Sequence, residues 1–195
     1  MSLREDILEV SRILLVKDGF GKMSMRKIAK RAGVSATSIY LHFQNKDELL
    51  LALIESSIAK LAAALEEDLS DSDDSITKLE KMARSFVDFA LENPQEYEII
   101  YMVRPEEMPK FPKEKFQQIR KIYKMLANII GEGKRTDVLK VDDPLMSAYM
   151  VWAQLHGVAS VIISKRLDTR IPTEEFVNQA VDHIIQGFIT QKTPA

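Results

Sequence analysis

Residues 24–50 read SMRKIAKRAGVSATSIYLHFQNKDELL, and this stretch decides the fold of the N-terminal part of the chain. A helical pattern ends at Gly33, and a second helical pattern begins at Ser35. In the second pattern Ile39 and Phe43 share the inner side. Two short helices joined by a turn that contains glycine predict a helix-turn-helix.

The outward side of the second short helix is free of carboxylates. Thr37 and Leu41 lie about 160° from the inner side at 100° per residue. Residues 1–50 carry nine Lys/Arg against six Asp/Glu, a net +3, whereas residues 51–195 carry eighteen against twenty-three, a net −5. A basic N-terminal segment on an acidic body is typical of nucleic-acid binding, although a solvated helix face can have the same composition.

The remainder of the 195 residues is helical in pattern, with no strand alternation and no repeat. Further helices are predicted over residues of about 75–93, 113–130, 144–165 and 173–190. We expect the helix from about 113 to end at Gly131 and Gly133, after an irregular loop over 104–112. The predicted fold is all-α, with a three-helix helix-turn-helix domain over residues 1–48 and a helical domain over residues 49–195.

Composition excludes several chemistries. The chain has no cysteine and only three histidines, which are far apart in sequence, so we expect no metal site. No HExxH, Gly-x-Ser-x-Gly or phosphate-loop motif occurs, and Ser-x-x-Lys occurs three times by chance. We therefore predict that the protein is not an enzyme and needs no cofactor. The first thirty residues are too charged for a signal peptide, so the expected location is the cytoplasm.

Residues 144–164 carry no charge, and a run of about 20 such residues is long enough to cross a membrane. Polar groups such as Gln154 and His156 interrupt the run, and Asp142 and Asp143 precede it. The centre of a helix bundle also requires a helix that is apolar on all sides. The interpretation we adopt is a bundle helix and no membrane contact.

The N-terminal motif resembles a known family. Ala-Gly-Val-Ser at 32–35, Tyr-x-His-Phe at 40–43 and Lys-x-x-Leu at 46–49 are similar to the N-terminal domain of the tetracycline-repressor (TetR) family, over roughly residues 5–55. Trp152, His156 and Gly157 resemble a Trp…His-Gly motif in the body of one subgroup. The resemblance implies a dimeric transcriptional regulator, usually a repressor that a small ligand releases from DNA.

The resemblance also implies which residues face DNA. They are Ser24, Arg26, Lys27, Ser35, Ala36, Thr37, Ser38, Tyr40, His42 and Lys46. By their chemistry, Tyr40, His42 and Lys46 can bond phosphate oxygens, and Arg26 is the predicted bidentate reader of guanine. The exposed positions of the second short helix lack Arg, Asn and Gln, so we expect DNA shape to share in recognition.

The body is rich in methionine and aromatic residues, which suit an adaptable apolar cavity with polar anchors. An ordinary core uses the same residue types, and the family resemblance favours a cavity. The predicted effector-binding residues are Phe86, Phe89, Tyr97, Tyr101, Met102, Tyr123, Met150, Trp152 and His156. For His156 the interpretations are, in order, a core histidine, a ligand anchor and a metal ligand.

The last predicted helix carries two adjacent apolar stripes, beginning at Phe176 and Val177. Two stripes suggest one face inside the chain and one against a partner, although a deeply buried terminal helix has the same pattern. The residues predicted to form a homodimer interface are Gly157, Val161, Val177, Val181, Ile184, Ile185 and Phe188. The predicted function is a ligand-responsive transcriptional regulator, a repressor, that binds a near-palindromic operator as a dimer and is released by a small, largely apolar effector. The alternative is a helical protein-interaction module that does not bind DNA.

Overall fold

The protein is described by a computed structural model that covers residues 2–102 and 117–189. Apart from one isolated bridge between Leu139 and Ile189, the regular structure in these residues is helical, which confirms the all-α prediction. The helices are α1 (Leu3–Asp18), α2 (Met25–Ala32), α3 (Ala36–Tyr40), α4 (Lys46–Glu67), α5 (Ser75–Glu92), α6 (Pro94–Tyr101), α7 (Gln117–Arg135), α8 (Pro144–Ile163) and α9 (Thr173–Gln186). The predicted loop over 104–112 and the predicted helix start at 113 lie outside the described residues.

The chain divides into two compact units. The first unit holds the described residues within Met1–Lys60 and Asn93–Gln118, and the second holds those within Leu61–Glu92 and Ile119–Ala195. Helix α4 is continuous across the predicted domain boundary at residue 48, and its residues up to Lys60 belong to the first unit. The first unit therefore contains more than the three helices expected from the sequence, because it also includes α6.

The core of the first unit forms where α1, α2, α3 and the first half of α4 pack together. Ile7, Ile28, Ile39 and Leu49 are completely buried in it, and Ile99 of α6 joins the same cluster. Each of these side chains lies on the apolar stripe of its own amphipathic helix, so burial of the stripes sets how the helices pack.

Helix α6 is also held in the first unit by a buried ion cluster. Glu96 is 4% exposed, and its carboxylate accepts hydrogen bonds from Lys60 Nζ and Ser57 Oγ of α4. The guanidinium of Arg12 in α1 lies 3.1 Å from the same carboxylate. Burial raises the pKa of Glu96, but these hydrogen bonds and the Arg12 charge outweigh it, so the net pKa is lowered.

The second unit is built from the end of α4 and from α5, α7, α8 and α9. Helices α5, α8 and α9 pack against one another, and the apolar stripe of α7 is buried from Ile119 to Ile130. Contrary to the sequence prediction, α7 does not end at Gly131 but continues through Gly133 to Arg135. Gly133 is a site of close approach, since a Cβ there would lie 2.5 Å from Leu139 Cδ1.

Candidate functional site

Side-chain caps and one glycine set the geometry of the helix-turn-helix. The Ser24 hydroxyl caps α2 by accepting a hydrogen bond from the Lys27 amide at 3.2 Å. Gly33 ends α2 in the left-handed region, with φ of 69°. The Ser35 hydroxyl then caps α3 by accepting from the Ser38 amide at 3.1 Å. These local interactions end α2 and begin α3 with only residues 33–35 between the two helices.

The observed helix phase confirms the predicted inner and outer sides of α3. Ile39 and Phe43 are buried in the core of the first unit, whereas Thr37 and Tyr40 are exposed. Leu41 is 80% exposed, which is unusual for a leucine. The surface that α3 presents to solvent is therefore made of small polar, aromatic and apolar groups without a carboxylate.

The predicted DNA-facing residues lie in α2 and α3, at the N-caps Ser24 and Ser35, in the segment that leads into α4 and at Lys46, the first residue of α4. Six of them are exposed, namely Ser24, Arg26, Lys27, Ser35, Thr37 and Tyr40. Four are partly exposed, namely Ala36, Ser38, His42 and Lys46. None of the ten is buried, so the fold leaves every one of them accessible to a ligand of this surface.

Two of the predicted cations already have partners within the unit. Lys46 Nζ donates to the Phe20 carbonyl at 2.9 Å and lies 3.9 Å from the centroid of the Phe20 ring. Lys27 Nζ lies 2.6 Å from Asp18 Oδ2, and this hydrogen bond lowers the pKa of Asp18. Arg26 forms no ion pair within the residues that the structure describes, so its guanidinium is the more available group.

The predicted set omits several groups that share this surface. Lys22, Lys30 and Arg31 are exposed, and no Asp or Glu occurs anywhere from residue 19 to residue 46. The set also omits Leu41, although the helical period alone places its side chain on the outward side. The charged groups on the surface of the motif from residue 19 to residue 46 are therefore all cationic, as binding to a phosphate backbone requires.

The predicted effector-binding residues are divided between the two units. Phe86, Tyr123 and Trp152 line a small apolar cavity of about 20 Å³ in the second unit, between α5, α7, α8 and the end of α4. Met150 is instead exposed on α8. Phe89 is buried but does not line this cavity. About 20 Å³ is the space of a single water molecule, so the cavity is nearly filled in this conformation.

Of the remaining predicted effector residues, three belong to the first unit and one to the second. Tyr97, Tyr101 and Met102 belong to the first unit, where Tyr97 is buried and its ring centroid is 5.1 Å from that of Tyr101. In the second unit His156 stacks on Trp152 with ring centroids 5.2 Å apart. Burial lowers the pKa of His156, so its neutral form is favoured. No group of three His, Asp or Glu side chains suited to a metal occurs in residues 2–102 and 117–189.

The residues predicted for the dimer interface differ in exposure. Val177, Val181, Ile184 and Ile185 are each at most 7% exposed within the single chain, whereas Phe176 and Ala180 of the same two stripes are partly exposed. The structure holds one chain, so the interface stays a prediction. Phe188 and Val161 are partly exposed. Gly157 is exposed with open space around it, and no helix among residues 2–102 and 117–189 comes close enough to account for this glycine.

Helix α8 exposes a large apolar face. Four apolar side chains of its first half are 41–61% exposed, namely Leu145, Met146, Tyr149 and Met150. Within the described residues α8 is the one helix long and apolar enough to cross a membrane, and 28% of its most apolar 18 residues are buried. The sequence had indicated burial on all sides, but only the side that carries Val151 and Leu155 packs inside the unit.

Comparison with known proteins matches both parts of the chain to one family. The family model described as "Bacterial regulatory proteins, tetR family" matches residues 7–53, and "Tetracyclin repressor-like, C-terminal domain" matches residues 79–184, more than half of the chain. The chain belongs to the TetR family. TetR-family proteins are transcriptional regulators rather than enzymes, which confirms the prediction that this chain is not an enzyme.

Individual relatives agree with the TetR assignment. An uncharacterized HTH-type transcriptional regulator of Haemophilus influenzae is 35% identical over 92 residues, which are 47% of this chain and 49% of that protein. The chain spans half or less of the length of the first curated relatives that it matches. A protein of unknown function from Rhodococcus sp. RHA1 is 26% identical, with a TM-score of 0.82 over 97% of each chain. A TetR-family regulator from Marinobacter aquaeolei shares the fold at 18% identity, with a TM-score of 0.80 over 97% of this chain and 96% of that one.

Proposed function

We propose that this TetR-family chain is a ligand-responsive repressor of transcription, which binds a near-palindromic DNA operator as a homodimer in the cytoplasm. The observation that carries the proposal is the surface of the helix-turn-helix. It is exposed, contains no carboxylate from residue 19 to residue 46, and is held in shape by the Ser24 and Ser35 caps. A surface built only to face water has no reason to exclude acidic residues.

Four of the ten predicted residues have proposed roles of two kinds, base reading and phosphate contact. Arg26 is exposed and without an ion pair in the described part of the chain, so it is the proposed reader of a base edge. Tyr40, His42 and Lys46 are the proposed phosphate contacts. Lys46 can keep its bond to the Phe20 carbonyl while it donates to a phosphate, because an ammonium has three N–H groups. Leu41 adds an apolar group that suits a thymine methyl.

The proposed dimer buries the apolar face of α8. Helix α8 leaves an apolar patch exposed, and a second copy of the chain would cover it. The patch consists of Leu145, Met146, Tyr149 and Met150. Gly157, with open space around it, would let a partner helix approach closely. Two copies related by a two-fold axis would then read half-sites with centres about 34–36 Å apart, or a multiple of that distance.

The proposed effector is a small, largely apolar molecule bound in the second unit. Phe86, Tyr123 and Trp152 already surround an apolar cavity there, and the aromatic row continues from Trp152 to His156. Because the cavity now has room for about one water molecule, effector binding must move these side chains apart. Such a movement would couple binding to a change in conformation, as a regulator needs.

Selection from a random DNA pool, followed by sequencing of the bound fraction, tests the proposal. We expect an enriched near-palindrome, a gel shift with that sequence, and a complex that contains two chains per duplex. The Arg26→Ala variant should lose preference at one base position, whereas Lys140→Ala, a control on an exposed loop of the second unit, should bind normally. A pool without enrichment would refute DNA binding and favour the protein-interaction module.

A further inference from the structure

An open cleft of about 620 Å³ lies on the second unit, away from the small apolar cavity. It is bounded by one face of α7, by Lys78 near the start of α5 and by the loop that precedes α5. Leu69, Met125 and Ile129 supply apolar lining. The volume falls within the range of about 300–1,000 Å³ that is usual for small-molecule sites.

The charged groups of this cleft are mostly cationic. Lys78, Lys121, Lys124 and Arg135 line it, against Asp71 and Glu132. Glu132 is already neutralised, because Lys78 Nζ lies 3.3 Å from its Oε2. Lys121, Lys124 and Arg135 form no ion pair within residues 2–102 and 117–189, which leaves three cations against Asp71.

The cations follow one face of α7 rather than being scattered. At 100° per residue, positions 121, 124 and 135 fall within about 60° of arc, and they cover about 21 Å along the helix. Lys121 and Lys124 form one end of the row, and Arg135 with Lys78 forms the other. A ligand of this cleft therefore meets positive charge along its length and apolar surface at the side.

This basic cleft contrasts with the unit on which it lies. Residues 61–92 and 119–195 contain 17 Asp/Glu and 13 Lys/Arg, a net −4, whereas α7 alone contains five basic residues and one acidic residue. A solvated helix face needs no such imbalance, since mixed charges solvate equally well. The imbalance therefore indicates an anionic ligand.

We propose that this cleft binds a phosphate-bearing organic molecule of nucleotide size. The phosphates bind along Lys121, Lys124 and Arg135, and the organic part lies on Met125 and Ile129. Lysine ammonium groups act as point charges toward phosphate, and the arginine guanidinium adds a bidentate contact. The site is separate from the DNA surface and from the apolar cavity, so it provides the regulator with a second input.

Isothermal titration calorimetry with ATP, AMP and adenosine, at an ionic strength of about 0.15 M, tests this site. We expect ATP to bind more tightly than AMP and adenosine to show no binding, because the contacts are to phosphate. The Lys121→Ala/Lys124→Ala variant should weaken ATP binding by about tenfold or more. Both lysines are exposed, and circular dichroism should show an unchanged fold.

Two control variants separate this site from unspecific attraction. Lys140→Ala/Arg166→Ala removes two exposed cations of the same unit outside the cleft, and it should bind ATP normally. Arg26→Ala/Lys30→Ala removes cations of the DNA surface, which attracts any polyanion, and it should also bind ATP normally. Absence of ATP binding, equal losses in the cleft and control variants, or loss in the DNA-surface variant alone would overturn the proposal. None of these results would bear on DNA binding itself.

Discussion

Removal of the Glu96 carboxylate should strongly destabilise the first unit. Glu96 is 4% exposed and neutralises Arg12, whose side chain is 8% exposed. Removing one partner of a buried ion pair costs about 3–5 kcal/mol, because the other charge is left without compensation. After Glu96→Ala, Arg12 retains its ion pair with Glu9. Lys60 is half exposed, so its ammonium group can be solvated by water. The lower end of that range therefore applies to Glu96→Ala.

Thermal unfolding followed by circular dichroism provides the assay. For a chain of this size 1 kcal/mol corresponds to roughly 2–4 °C in Tm, so a loss of about 3 kcal/mol lowers Tm by about 6–12 °C. Glu96→Gln keeps the shape of the side chain and can still accept a hydrogen bond from Ser57. It should therefore reduce the free energy of unfolding by less, about 1–3 kcal/mol. Glu98→Ala, on the partly exposed side of the same helix, is the matched control and should change the free energy of unfolding by less than about 1 kcal/mol.

The dependence of stability on pH gives an independent check. The pKa of Glu96 is lower in the folded chain than in the unfolded chain. Its ionised form therefore contributes stability above the unfolded pKa of about 4.3, and this contribution is lost as pH falls through the folded pKa. The difference in stability between the wild type and Glu96→Gln should shrink in that acid range. Equal losses for Glu96→Ala and Glu98→Ala, or a difference independent of pH, would refute the reasoning.

Five further substitutions are informative. Arg26→Ala should reduce the binding free energy by about 1–3 kcal/mol at one operator position. Lys46→Ala should instead weaken binding to all sequences and reduce the salt dependence of the affinity by about one phosphate contact. Affinities for single-base operator variants at several salt concentrations distinguish the two effects. Gly33→Ala should lower stability by about 1–3 kcal/mol, because φ is 69° there; an unchanged urea midpoint would show that the turn relaxes. Ile184→Ala should destabilise the second unit by about 2–5 kcal/mol without dissociating the proposed dimer, whereas Met150→Glu should dissociate it; light scattering that shows the reverse would favour α9 as the interface.

The helix-turn-helix could be predicted from the sequence because its determinants are local. Ser24 and Ser35 cap the helices from within the same turn, and Gly33 takes a conformation that few other residues adopt. The helical period alone then separates Ile39 and Phe43 from the outward side chains. The candidate DNA surface was therefore accessible to sequence analysis almost residue by residue.

Tertiary packing decided the features that depend on distant partners. The helical period predicts the apolar stripes of α9 but not what covers them. In the structure Val181 and Ile184 are buried within their own unit, whereas Met150 of α8 is exposed. The Glu96 cluster joins α1, α4 and α6 across more than eighty positions, so no local pattern reveals it. Gly133 also could not be interpreted from local sequence. A glycine in a helical pattern usually predicts the end of the helix, but here the helix continues and Leu139 packs against Gly133. Local backbone preferences are encoded within a few residues, whereas burial depends on which helices meet, and that is known only in the folded chain.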